Sequence, residues 1–239
     1  MLRHHTLNII SNLKPEYGLG SHMIAINMGC VGTRNDLINA EKAIIEGERS
    51  LNFQLSKSAY VDLIMRKYSH NGRLNESQLK EVMSTLSLAA NDDFFGHFKE
   101  ENMWSLRWLD LLGILLSRGD AESKSSLMFQ LFDPENTKEI SQEQVRDLLE
   151  CLWTISVSYL PLLAKEAGSK IVSVGEVTEY VSFLESHKEQ TIEDLVSKFG
   201  SGNIGYEVFV GAFCQEELSP LVNPFGIRAF TKNLKLKTQ

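Results

Sequence analysis

Apolar residues along this chain recur mostly three or four positions apart, which is the period of an amphipathic helix. From Leu37 to Leu55 they alternate with a charged face, and Asp36 is a candidate N-cap. Short connections rich in Gly, Asn and Ser separate later segments of the same kind. The further predicted helices are 60–67, 76–88, 105–117, 123–132, 142–163, 177–186, 192–199 and 206–213. Because no run shows clean strand alternation, the pattern predicts an all-α fold.

The predicted helices follow one another in a repeated order. A helix is followed by a short polar loop, one apolar residue, a capping residue and another helix, most clearly over 123–149, where Ile140 is the apolar residue. The equivalent apolar residues in three looser copies are Leu74, Trp104 and Ile204. These four positions predict two pairs of loops joined by backbone hydrogen bonds, within an internal fourfold repeat over 59–213.

This order of elements resembles the EF-hand, and the whole layout is similar to the calcineurin-B-like and neuronal calcium sensor families. The acylated flagellar calflagins are also similar, since they begin Met-Gly-Cys. The resemblance implies four EF-hand-like helix-loop-helix units in two paired lobes. The predicted boundaries are an N-terminal extension over 1–33, a first pair with a leading helix over 34–120, a second pair over 121–215 and a basic tail over 216–239.

The resemblance also defines a candidate calcium site in the third loop. An EF-hand binds calcium through oxygens at fixed loop positions, with Gly at the sixth position and a bidentate Glu at the twelfth. The candidate ligands here are Asp133, Glu135, Thr137, the carbonyl of Glu139 and Ser141. However, Lys138 occupies the sixth position and Gln144 the twelfth, and the other three loops match less well. We therefore expect weak calcium binding at most, and a scaffold that has lost the ion is the favoured interpretation.

A candidate lipidation signal precedes the first helix. Residues 28–33 read MGCVGT, which matches the N-myristoylation pattern, with Gly29 as the myristate acceptor and Cys30 as a palmitate acceptor. Two acyl chains would hold a protein stably on a membrane. The motif acts only if translation starts at Met28, so this interpretation and an accidental match both stay open. For 1–27 we favour a disordered extension over a mitochondrial presequence.

Composition narrows the class of protein. The 239 residues are 43% hydrophobic and carry a net charge of −7, which argues against disorder and against nucleic-acid binding. The three cysteines form no CxxC pair, which favours a reducing compartment without disulfides or zinc. The uncharged stretch 151–164 is short for a membrane span and predicts a core helix. The basic stretch 228–237 could contact anionic lipid, remain solvated or fold back onto the protein.

No catalytic constellation stands out in the sequence. The glycine motif at 200–205 follows a predicted helix, whereas a dinucleotide-binding motif follows a strand. We therefore predict a non-enzymatic adaptor or sensor that binds an amphipathic helix of a partner protein. The expected location is cytoplasmic, with membrane association or a ciliary location as further options. The alternative is a structural component of a ciliary or cytoskeletal assembly.

Overall fold

The computed structural model describes residues 34–166 and 172–234, all within one unit that spans Gly32–Gln239. The chain is mostly helical with two small sheets, so the all-α prediction is confirmed. The first six helices are α1 Arg34–Ser50, α2 Ser58–Tyr68, α3 Glu76–Leu86, α4 Asp92–Gly96, α5 Leu106–Leu116 and α6 Ala121–Phe132. The next six are α7 Gln142–Trp153, α8 Leu160–Glu166, α9 Val174–Glu185, α10 Lys188–Ser197, α11 Tyr206–Phe213 and α12 Pro224–Leu234.

The two sheets join the loops in pairs. In the first, β1 (Arg73–Leu74) and β2 (Lys99–Glu100) flank β3 (Met103–Ser105). In the second, β4 (Glu139–Ser141) lies beside β5 (Asn203–Gly205). All pairs are antiparallel, and the residues placed opposite each other are Leu74 with Trp104 and Ile140 with Ile204. The predicted pairing of these four apolar residues is therefore confirmed.

The longest predicted helix is interrupted where α7 passes through a π-helical segment into α8. The N–H of Leu160 donates to the carbonyl of Ile155, five residues back, and Pro161 has no N–H to donate. The carbonyl of Ser156 therefore has no partner within the helix. The guanidinium of Arg228 donates to this carbonyl from Nη1 at 2.9 Å, so a residue of α12 completes the hydrogen bonding of the interrupted helix.

The first helix is shorter than the apolar spacing predicts. It ends at Ser50, and Asn52 with φ 70° turns the chain into a separate 3₁₀ turn, Phe53–Leu55. Helix α1 packs against α8 and α9, which lie more than a hundred residues later in the chain. The division of 34–215 into two lobes stays a prediction.

Helix α12 is an element that the sequence pattern did not single out. It packs against the 3₁₀ turn Ser219–Val222 and against the π-helical segment. Gly226 permits this approach, because a Cβ at that position would overlap the carbonyl of Pro220. Since Arg228 is fully buried on this helix, it cannot act as a surface contact for anionic lipid.

One helical segment, Gln142–Lys165, is long and apolar enough to cross a membrane by length and composition alone. In this structure 61% of its most apolar window is buried inside the protein. Leu152, Ile155 and Leu160 are all fully or almost fully buried. This packing is the one expected of a core helix.

Candidate functional site

The third loop connects α6 to β4 and is organised around the carboxylate of Asp133. Its Oδ1 accepts hydrogen bonds from the backbone N–H of Thr137 at 2.7 Å and from the Thr137 hydroxyl at 2.9 Å. Its Oδ2 accepts the backbone N–H of Lys138 at 2.8 Å. Burial alone would raise the pKa of Asp133, but the hydrogen bonds from Thr137 and Lys138 outweigh it and hold this pKa below its usual value. The carboxylate is thus ionised and already engaged by the loop.

The backbone at the sixth loop position has the conformation that normally calls for glycine. Lys138 has a φ of 66°, and Gly72 and Gly202 occupy the same position in the first and fourth loops with φ of 72° and 90°. For a residue with a Cβ this left-handed conformation costs roughly 1–2 kcal/mol. The side chain of Lys138 lies over the ring of Tyr206, with Nζ at 5.7 Å from the ring centroid. The positive charge is therefore held against an aromatic face.

The twelfth position closes the loop through a side-chain amide. Gln144 Oε1 accepts the backbone N–H of Ser141 at 2.8 Å, while its Nε2 donates to the carbonyl of Phe132 at 2.7 Å. Ser141 caps α7 in return, since its hydroxyl accepts the N–H of Gln144 at 3.1 Å. A protein hydrogen-bond network therefore joins the end of α6 to the start of α7, where an EF-hand uses a bidentate Glu on calcium.

Two of the other candidate ligands, Thr137 and the carbonyl of Glu139, lie beside Asp133 and are engaged in hydrogen bonds of the loop. The single proton of the Thr137 hydroxyl is shared between two acceptors, Asp133 Oδ1 and the carbonyl of Glu139, each 2.9 Å from Oγ1. The carboxylate of Glu139 accepts the side-chain amide of Asn203 across the sheet at 3.2 Å, and Glu135 is exposed. Within 34–166 and 172–234 no group of three His, Cys, Asp or Glu side chains could hold a metal ion. Weak calcium binding at most therefore stays a prediction for this loop.

The other three loops depart from a calcium site in different ways. In the first, Asn75 and Gln78 form the same capping box at the start of α3 that Ser141 and Gln144 form at α7. The second loop is a β-hairpin. Strand β2 ends at Glu100, the next two residues form the turn, and β3 then pairs with β2. The fourth carries Val208 at its twelfth position, and this side chain is 61% exposed.

An apolar and basic surface on α2 was not identified from the sequence. Tyr60 and Leu63, at spacing i and i+3, are 45% and 59% exposed, and Leu55 beside the start of the helix is 59% exposed. Lys57 and Lys67 flank them and are also exposed. We call these five residues the α2 outer face. The sequence signal for it was that Tyr60 and Leu63 lie on the side of the helix opposite Val61 and Met65, which are buried.

The aromatic residues concentrated near the second loop belong mainly to the core. Phe94, Phe95, Phe98 and Trp153 are all buried. The indole N–H of Trp104 donates to the carbonyl of Phe95 at 2.9 Å, and Lys99 lies over its ring. Trp108 contacts Tyr159 of the π-helical segment, with ring centroids 6.0 Å apart. This concentration of aromatic residues therefore links the second loop to the middle of the chain.

A buried ionic cluster fixes α1 to α12. Arg228 donates from Nη2 to Glu41 at 2.6 Å and from Nη1 to Glu48 at 2.8 Å. The hydroxyl of Tyr180 donates to the second carboxylate oxygen of Glu41 at 2.6 Å. Burial lowers the pKa of Arg228, but the two glutamates outweigh it and raise this pKa above its ordinary value. Burial also raises the pKa of Glu48, although Arg228 opposes the change.

The candidate lipidation residues Gly29 and Cys30 lie outside the described residues, so their modification stays a prediction. The comparisons with known proteins add no relative. No family model, curated protein or solved structure matches the chain.

Proposed function

We propose that this chain is a non-enzymatic, EF-hand-like adaptor that binds a partner protein and responds weakly or not at all to calcium. The observation that carries the proposal is the third loop, in which Asp133 and Gln144 make protein hydrogen bonds at the positions where an EF-hand holds its ion. Loop closure without an ion would leave the helix pairs in place whether or not calcium is present.

Two features support the assignment to EF-hand-like units. The apolar loop residues face each other in antiparallel pairs, Leu74 with Trp104 and Ile140 with Ile204. The sixth position is left-handed in three loops, even where Lys138 occupies it. Both features match the predicted loop numbering, and the same numbering supports two pairs of units.

The α2 outer face is the surface that we propose for the partner. Its apolar residues lie at helical spacing and are uncovered, as needed for contact with the apolar stripe of another helix. Its charged members, Lys57 and Lys67, are both basic, although the chain as a whole carries a net charge of −7. Charge complementarity therefore favours a partner helix with acidic residues beside its apolar stripe.

The proposal is tested by affinity capture with three forms of the protein, each in excess calcium and in a calcium chelator. Leu63→Asp places a charge in the centre of the α2 outer face. Val174→Asp is the matched control, because Val174 is 54% exposed on α9 and lies outside that face. We expect a protein that the wild type and the control capture equally in both conditions and that Leu63→Asp fails to retain. Equal capture by Leu63→Asp, or capture only in calcium, would contradict the proposal.

Membrane association through Gly29 and Cys30 is a separate part of the proposal. If both residues are acylated, Gly29→Ala releases the protein from the membrane fraction of cells, because a single remaining acyl chain binds a membrane only marginally. A native peptide that includes Leu7 and Lys14 would show that translation starts upstream and would contradict it. Adaptor activity through α2 does not depend on this outcome.

A further inference from the structure

A cavity of about 410 Å³ opens where the start of α5 meets the end of α6. It lies beside the third loop but shares no side chain with the network around Asp133. Residues that carry its polar and apolar walls include Arg66, Ser105, Arg107, Trp108, Leu131 and Pro134.

Ser105 is the buried polar group of this cavity. It is the N-cap residue of α5 and is only 9% exposed, yet its hydroxyl makes no capping hydrogen bond. No other partner for this hydroxyl is found in the part of the chain that the structure describes. At the equivalent positions Asn75 and Ser141 both cap their helices. The Ser105 oxygen itself remains accessible to solvent, so it is free to donate to a ligand in the cavity.

Two arginines give the cavity its charge. The guanidinium of Arg107 lies over the ring of Phe132, with Cζ at 4.7 Å from the ring centroid, and it forms no ion pair with any described residue. Arg66 forms an ion pair with Asp62 through Nε at 2.7 Å, which offsets part of its charge, and its Nη atoms make no hydrogen bond to any described residue. The positive end of the α5 dipole adds to the same field, because Ser105 marks the N-terminus of an 11-residue helix.

One acid also lines the cavity and opposes this field. Glu100 stands in β2, and its carboxylate lies 4.0 Å from the guanidinium of Arg73, which offsets part of its charge. The groups facing the cavity are therefore the unpaired Arg107, Arg66 with its charge offset by Asp62, one hydroxyl and one partly neutralised carboxylate. Trp108 and Leu131 supply an apolar wall beside them.

We propose that this cavity binds a phosphate monoester. Guanidinium groups pair with phosphate oxygens through charge-assisted hydrogen bonds, and a helix N-terminus favours the same anion. The Ser105 hydroxyl would donate to a third oxygen. The cavity is several times larger than a bare phosphate, and its apolar wall would contact the organic group of the ester. This binding is independent of the α2 outer face.

The test is an NMR titration at constant ionic strength. It monitors the backbone amide signals of residues 105–108 and the indole signal of Trp108. Phenyl phosphate and N-acetyl-phosphoserine amide are the probes, representing a small aromatic ester and a phosphorylated protein side chain. Inorganic phosphate is the third probe. We expect saturable shifts at the start of α5 with at least one ester, and tighter binding of that ester than of inorganic phosphate. The tighter of the two esters identifies the source of the ligand.

Single substitutions test which side chains bind the ester. Ser105→Ala and Arg107→Gln should each weaken binding roughly tenfold, because each removes a hydrogen bond to a charged group. Glu100→Gln should strengthen binding, since it removes the opposing charge. Arg49→Gln is the control for net charge, because Arg49 is exposed on α1 and does not line the cavity.

Three outcomes would overturn the proposal: no saturable shift with either ester, equal binding by wild type and Arg107→Gln, or equal weakening by Arg49→Gln. Helical circular dichroism of each variant separates loss of binding from loss of fold.

Discussion

Replacement of Arg228 by Met tests how the ionic cluster holds α1 against α12. Met fills much of the same volume but donates no hydrogen bond. The substitution therefore leaves Glu41 and Glu48 without their ion-pair partner at a site where their side chains are only 13% and 10% exposed. It also leaves the carbonyl of Ser156 without a donor at the π-helical interruption.

The contacts of Arg228 determine how much stability the substitution should remove. Arg228 makes four hydrogen bonds, three of them to carboxylates, and is fully buried. Removal of one partner from a buried ion pair costs about 3–5 kcal/mol, because an uncompensated charge remains. Domain stabilities lie near 5–15 kcal/mol, so we expect Arg228→Met to lose a large share of the total.

Urea denaturation followed by tryptophan fluorescence and helical circular dichroism measures this loss. Burial raises the pKa of Glu48 although Arg228 opposes the change, so the folded state binds this proton more tightly than the unfolded chain and the stability linked to Glu48 falls as pH rises. Without Arg228 this dependence steepens. The loss caused by Arg228→Met should therefore be smaller below pH 4.5 than at pH 7.

Neutralising the acids supplies the control for this experiment. Adding Glu41→Gln and Glu48→Gln to Arg228→Met should restore part of the stability at pH 7, because no buried charge is left unpaired. A loss under about 1 kcal/mol for Arg228→Met, within the range of an exposed pair, would refute the reasoning. A loss that is unchanged between acid and neutral pH would refute it as well.

Two further predictions concern other buried ionisable groups. Asp110→Asn should stabilise the protein at pH 7, because the amide removes a fully buried acid that ionises next to the Asp62 carboxylate. Burial, and after it the charge of Asp62, raise the pKa of Asp110, so the unfolded chain ionises at lower pH than the folded protein. The stability of the wild type therefore falls as pH rises from 3.8. Urea titrations from pH 4 to 7 should show a weaker decline in the variant. Burial lowers the pKa of Lys124 to about 8, although its ammonium donates to the carbonyls of Leu115 and Val222. Because the unfolded lysine keeps its proton up to 10.5, wild-type stability should rise by about 2 kcal/mol between pH 8 and 10 relative to Lys124→Met, and parallel curves for the two proteins would contradict this.

Local patterns predicted most of the helices and the pairing of the loops. Helical spacing locates α2, α6 and α11 because each buries one continuous stripe, and Ile140 and Ile204 mark their strands as lone apolar residues between a polar loop and a cap. The interruption of the long helix also has a local signal in Pro161, which removes one backbone donor.

Long-range contacts could not be read from the sequence in the same way. Helix α12 looked like a basic tail, because the burial of Arg228 depends on Glu41 and Glu48, which lie about 180 residues earlier. The exposure of Tyr60 and Leu63 likewise depends on which helices leave α2 uncovered. The missing cap at Ser105 depends on side-chain placement around the cavity.

The most direct test of a loop that closes without an ion is calcium calorimetry at pH 7 on the wild type and on the double variant Lys138→Gly with Gln144→Glu. The wild type should show no site tighter than the roughly 10⁻⁴–10⁻³ M of weak EF-hand-type modules, because Gln144 holds the backbone instead of an ion. The double variant should gain a micromolar site, since glycine suits the left-handed position and glutamate restores the bidentate ligand. A micromolar site in the wild type would contradict the calcium-independent adaptor, and no site in the double variant would contradict the EF-hand-like assignment of this loop.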